Sequence, residues 1–166
     1  MSVNKYQPHV LVLPEDDANR QMAIGFVLEL SVRHRNVQVL PVAGGWTHVR
    51  DEFVSNLQQR LLRWPAAHAV LLVDFDNRVD GDGRLVRREQ VIPEVDTTLL
   101  QRVFVLGASG EPEALKKALG GYEKIGKALG KECHDETRVT WAHPMLKHNG
   151  PELDRMIPVI RPILFG

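Results

Sequence analysis

Three short runs of consecutive apolar residues constrain this chain more than anything else in it: Val10-Leu11-Val12-Leu13, Ala69-Val70-Leu71-Leu72-Val73 and Val103-Phe104-Val105-Leu106. They are rich in β-branched residues and do not alternate with polar ones. That is the pattern of strands covered on both faces, as in a parallel sheet. A fourth β-rich run is Val37-Gln38-Val39-Leu40. Helical spacing fills the gaps. Met22, Ala23, Phe26, Val27 and Leu30 recur between Asp17 and about His34, and Val49, Phe53, Leu57 and Leu61 form an i, i+4 stripe between Thr47 and about Trp64. Trp64-Pro65 ends the second pattern, because a proline disfavours helical geometry in the residue before it. The alternation predicts a three-layer α/β domain spanning residues 1–166, with a mainly parallel open sheet of about four to five strands flanked by helices.

The 166 residues carry 21 Lys plus Arg and 21 Asp plus Glu, so bulk charge gives no general attraction to nucleic acid, and any such contact needs a local patch. Cys133 is the sole cysteine, which excludes an intramolecular disulfide and fits a reducing compartment. The start MSVNKYQPH has no apolar signal segment, and no apolar stretch is long enough to span a bilayer. The expectation is a cytoplasmic protein with no membrane partner.

In an open parallel sheet the loops after the strands share one edge, and ligands bind in the crevice there. Here those loops are Pro14-Glu15-Asp16-Asp17, Gly44-Gly45, Asp74-Phe75-Asp76-Asn77 and Gly107-Ala108-Ser109-Gly110-Glu111. Asp74 and Asp76 stand two apart at a strand end, so both carboxylates face one way while Phe75 packs behind. Paired carboxylates suit a hard cation such as Mg²⁺ or Mn²⁺, with Glu15 completing the site or acting as general acid/base. The plainer alternative is that Asp16 and Asp17 favour a helix N-terminus and Asp74, Asp76 and Asn77 form a polar turn.

A Glu directly after the first strand, followed about 60 residues on by an apolar strand ending in Asp-x-Asp, resembles the Toprim fold. Topoisomerases, bacterial primases, OLD-type nucleases and small ribosomal-RNA maturation nucleases share that fold. The resemblance spans roughly residues 9 to 110. It implies a general acid/base role for Glu15, Mg²⁺ held by Asp74 and Asp76, and nucleic acid as substrate, RNA or DNA. A partner such as an ATPase, or self-association, would supply substrate selection. Two positions depart from the family pattern. Asp16 stands where the family usually has Gly, and Asn19 where it tends to have an Asp.

Other features carry less. Asp76 begins an EF-hand-like run, but Arg78 and Arg87 occupy ligand positions, which excludes calcium. Val79 to Leu85 reads as a hairpin tip. Gly107 to Gly110 reads equally as a phosphate cradle, with Ser109, Gly110 and Lys116 as contacts, or as a plain strand-to-helix turn. A helix from Pro112 to about Lys131 places Lys116, Lys117, Lys124, Lys127 and Lys131 on one arc, either a face that tracks a phosphate backbone or, more simply, a solvated face, and Gly120-Gly121 is the point where helix and arc would break. Cys133, His134, His143 and His148 match no common zinc spacing. His143 and His148 read as structural histidines or as phosphate contacts. The segment from Trp141 to Gly166, with four prolines, has no clear assignment. The function expected is Mg²⁺-dependent phosphodiester cleavage of nucleic acid. The rivals are a phosphatase of the haloacid-dehalogenase type, with Asp74 as nucleophile, and a non-catalytic Toprim-like interaction module.

Overall fold

A computed structural model describes residues 3–75 and 95–166. Asp76, Asn77, the Val79 to Leu85 turn and the EF-hand-like run lie outside the described residues.

The apolar runs form strands β1 (His9–Pro14), β2 (Val37–Val39), β3 (Ala67–Leu72) and β4 (Val103–Leu106). They make one sheet in the order β2-β1-β3-β4, every neighbouring pair parallel, with Leu11 beside Ala69 and Leu71 beside Val105. Alternate residues feed two cores. Leu11, Leu13, Leu71, Val103 and Val105 pack with Val49, Phe53, Leu57 and Leu61. Val10, Val12, Val70, Phe104 and Leu106 pack with Met22, Ala23, Ile125, Leu129 and Ile160. Burial on both faces explains why these strands read as continuous apolar runs.

Helix α1 (Asp17–Leu28) links β1 to β2 on the second face, ending well before the expected bound near His34. On the opposite face α2 (Trp46–Glu52) and α3 (Gln58–Arg63) link β2 to β3, joined by a π-helical segment, Phe53–Leu57. The buried stripe there repeats strictly every four residues, and a 3.6-residue turn would carry such a stripe off the sheet. One wider turn brings Leu57 and Leu61 back to it. The chain therefore leaves β1 on one face and returns to β3 on the other, which makes the carboxyl ends of β1 and β3 the switch point of the sheet.

After β4 come α4 (Pro112–Leu119) and α5 (Tyr122–Asp135). The single helix expected from Pro112 to Lys131 is broken at Gly120, whose φ of 101° is open to glycine alone. The lysine arc is therefore split between two helices. Helix α5 packs on α1 at backbone contact. A Cβ on Gly126 would lie 1.9 Å from the Met22 carbonyl oxygen, and one on Gly25 would lie 2.1 Å from that of Glu123.

The proline-rich end is a helix, α6 (Gly150–Leu164). Pro151 sits in its first turn, where no amide donor is needed. Pro158 and Pro162 are exposed, one helical turn apart, so the carbonyls they leave unbonded face water. Leu153, Met156, Ile160 and Ile163 hold the buried face. The helix also closes the sheet edge at β4. Glu152 Oε2 accepts the Val105 N–H at 3.0 Å, and Arg155 donates to the carbonyls of Val103 and Leu100, both at 2.5 Å. No helix among the described residues is long and apolar enough to cross a membrane.

Candidate active site

The site grows from the end of β1. Glu15 continues the strand by donating its N–H to the Leu72 carbonyl at 2.9 Å. Its own carbonyl accepts the N–H groups of Gly44 (2.9 Å) and Gly45 (3.2 Å), two glycines at φ 96° and 142°. Backbone geometry closed to other residues thus fixes the base of Glu15. Asp16 caps α1, with Oδ1 accepting the Asn19 N–H and side-chain amide, both at 3.0 Å. The capping role expected of Asp16 is thus present.

Strand β3 runs on beside β4 as far as Phe75, through Val73 N–H to Leu106 and Phe75 N–H to Ala108. This sets Asp74 opposite Glu15. The Asp74 N–H donates to Glu15 Oε2 at 2.6 Å, a short charge-assisted bond. Asn19 donates to Asp74 Oδ1 at 3.2 Å, so one amide bridges Asp16 and Asp74. The carboxyl groups of Asp16 and Asp74 are themselves in hydrogen-bond contact. Three of the four are sunk in the crevice, with Glu15 and Asp74 each 8% exposed and Asn19 only 1%, while Asp16 is half-buried.

Such crowding disfavours charge. Burial first, then the charge of Asp16, the hydrogen bond that the protonated Asp74 donates to Asp16 and the charge of Glu15, push the Asp74 carboxyl up to about 8, against the opposing bond from Asn19. Near neutrality it holds a proton unless a cation replaces it.

The sequence placed Glu15 and Asp74 together, and they are. Asp76 lies outside the described residues. Asp16 and Asn19, the two departures from the Toprim pattern, are hydrogen-bonded neighbours inside the same cluster, and sequence reasoning gave neither a place in the site. Their spacing, acid and amide three apart at a helix start, signals a cap; only the β1–β3 register carries that cap to Asp74.

The loop after β4 is held from behind. Asn149 accepts the Gly107 N–H at 3.2 Å and donates to the Gly107 carbonyl at 2.9 Å, while the Ser109 N–H donates to the Met145 carbonyl at 2.9 Å. Two of the amides expected to cradle a phosphate are therefore engaged within the fold. His143 accepts the Met145 N–H at 3.1 Å, a structural bond, and the His148 ring meets the Phe75 ring edge-on at 5.3 Å. Cys133 is buried, and burial pushes its thiol up to about 12, the state of a core residue.

Among the described residues no three His, Cys, Asp or Glu side chains are gathered as a metal cage. An all-oxygen set of two touching carboxylates still fits Mg²⁺, which usually keeps its waters and takes one or two carboxylates plus substrate phosphate. Comparison with protein-family models, curated proteins and solved structures gave no match.

Proposed function

We propose that the chain is a Mg²⁺-dependent phosphodiesterase of the Toprim type, acting on nucleic acid in the cytoplasm. One observation carries this reading. The buried carboxyl of Asp74 meets the half-buried carboxyl of Asp16 at the switch point of a parallel sheet, beside a buried Glu15 whose carboxylate is fixed by the Asp74 N–H. Two charged carboxylates approach this closely only with a proton or a cation to share.

Asp74 and Asp16 would hold the cation, with Asp76 as the further acid that the resemblance implies. When bound, the cation neutralises charge building on the phosphoryl oxygens. Glu15 takes the proton of the water that attacks phosphorus as the bond to the leaving oxygen breaks, and it can return that proton to the leaving oxygen. Asn19 contributes orientation: its amide keeps the Asp16 and Asp74 carboxyls facing each other. The departures from the family pattern then read as an exchange, with a carboxylate moved from the first turn of α1 to its cap and an amide put in its place.

A phosphatase using Asp74 as nucleophile is less well supported. The haloacid-dehalogenase family usually places its Asp-x-Asp after the first strand, whereas Asp74 follows β3. An ATPase partner or self-association would bring the substrate.

The test is a calorimetric titration with Mn²⁺ together with cleavage assays on single- and double-stranded RNA and DNA. Saturable Mn²⁺ binding with metal-dependent cleavage is expected. A chain that binds no divalent cation refutes the reading. A chain that binds Mn²⁺ yet cleaves none of these, alone or with a partner, leaves an interaction module in its place.

A further inference from the structure

Helices α1 and α5 follow parallel strands of one sheet and run side by side. Gly126 lies against Met22, and Gly130 lies 3.2 Å from Phe26, measured from an added Cβ to the carbonyl oxygen. This pairing carries Tyr122, the first residue of α5, to the end of α1 that bears Asp16 and Asn19. Tyr122 is 9% exposed, and its hydroxyl makes no hydrogen bond among the described residues. Burial first, then the charges of Glu113, Asp16 and Asp74, raise its pKa, so it stays a proton donor at neutral pH and lies within reach of the acid cluster's field. The Lys116 ammonium stands 5.3 Å from the centre of the same ring and makes no ion pair among the described residues. A buried tyrosine beside an acid cluster, flanked by a lysine, neither with a polar partner among the described residues, is an arrangement for an anion placed next to those acids.

We infer that Tyr122 and Lys116, at the corner between α4 and α5, bind a backbone phosphate of the nucleic-acid strand beside the Asp16–Asp74 pair. Tyr122 donates one hydrogen bond to a phosphate oxygen, and Lys116 adds a point charge from the solvent side. This deepens the phosphodiesterase reading and rests on it for the identity of the ligand. It also gives a net-neutral chain a local means of holding a polyanion at one place.

The experiment measures binding of a short fluorescein-labelled oligonucleotide, single- and double-stranded, by anisotropy, with Ca²⁺ in place of Mg²⁺ to suppress turnover. Mn²⁺ affinity is measured separately. Tyr122→Phe keeps the ring and is expected to bind the oligonucleotide about tenfold more weakly, the usual effect of losing one hydrogen bond to a charged group. Its Mn²⁺ affinity and thermal midpoint stay unchanged. Lys116→Ala lowers affinity and shallows the dependence of log K on log salt by about one, and Lys116→Arg restores both. Undiminished oligonucleotide binding by Tyr122→Phe overturns the inference, as does an unmodified chain that binds Mn²⁺ but no oligonucleotide. Tyr122-dependent oligonucleotide binding in a chain that binds no Mn²⁺ upholds the inference while refuting the metal site.

Discussion

Replacing Asp74 by Asn separates stability from function at this site. The Asp74 carboxyl is raised from 3.8 to about 8. The folded chain therefore keeps a proton there that the unfolded chain has released. Stability from this group is complete below about pH 4 and falls as pH rises, until the folded carboxyl also ionises near pH 8. Some four pH units at ~1.4 kcal/mol each set a ceiling of roughly 6 kcal/mol. Water at the mouth of the crevice lowers the realised effect to about 2–3 kcal/mol. An Asn at this position resembles the protonated acid: its oxygen can still accept from Asn19, and its amide can donate to Asp16. Without metal, Asp74→Asn should match the unmodified chain near pH 4 and exceed it at pH 8 by that 2–3 kcal/mol. For a chain of this length, that is several degrees in thermal midpoint. Saturating Mn²⁺ should reverse the order at pH 8, because only the unmodified chain gains binding energy from the cation. Calorimetric melts at both pH values, with and without Mn²⁺, test this. An Asp74→Asn chain no more stable than the unmodified one at pH 8 would refute the argument that the acids are crowded.

Glu15→Gln should keep the bond from the Asp74 N–H, because the amide oxygen still accepts, and so keep Mn²⁺ binding. Turnover should drop by roughly 10²–10⁴-fold, because an amide cannot exchange the proton; undiminished cleavage removes Glu15 from the mechanism. Gly107→Ala would bring a Cβ to 1.7 Å from the Val73 carbonyl oxygen, where β3 and β4 run together beyond their last paired residues. Overpacking of that kind costs about 1–3 kcal/mol or more, readable as a lower urea midpoint, and it should weaken Mn²⁺ binding by displacing Asp74. Cys133, with its thiol held at about 12 by burial, should react with a thiol reagent at pH 8 only as fast as the chain unfolds. Rapid labelling of the native protein would contradict the packing of α5 against Trp141, whose ring N–H donates to the Leu129 carbonyl at 3.3 Å in the same core as Cys133.

The sheet was legible because burial on both faces leaves its mark along the strand itself. Val103 to Leu106 is strand β4 to the residue. Glu15 and Asp74 were legible as members of one site because a parallel sheet brings its loops to one edge, whatever the detail within them. What escaped depends on contacts between elements. Asp16 and Asn19 look like an ordinary helix cap, and only the register of β1 against β3 gives them a second use. Tyr122 sits in the apolar stripe of its helix, where tyrosines are usually plain core; the glycines at 25, 126 and 130 are the trace of the close helix pairing that moves it to the acids. Helix α6 was hidden by Pro158 and Pro162, whose cost depends on which face they occupy.

The side chains with which α6 covers β4 reach beyond the edge they close. Glu152 and Arg155 occupy backbone groups to which another extended segment would otherwise pair. A chain shortened before Gly150 would lose the helix and bare an apolar strand of the kind that templates intermolecular sheet. Its fate would be aggregation rather than a smaller folded unit. During synthesis, β4 would stay open to such pairing until α6 has emerged behind it.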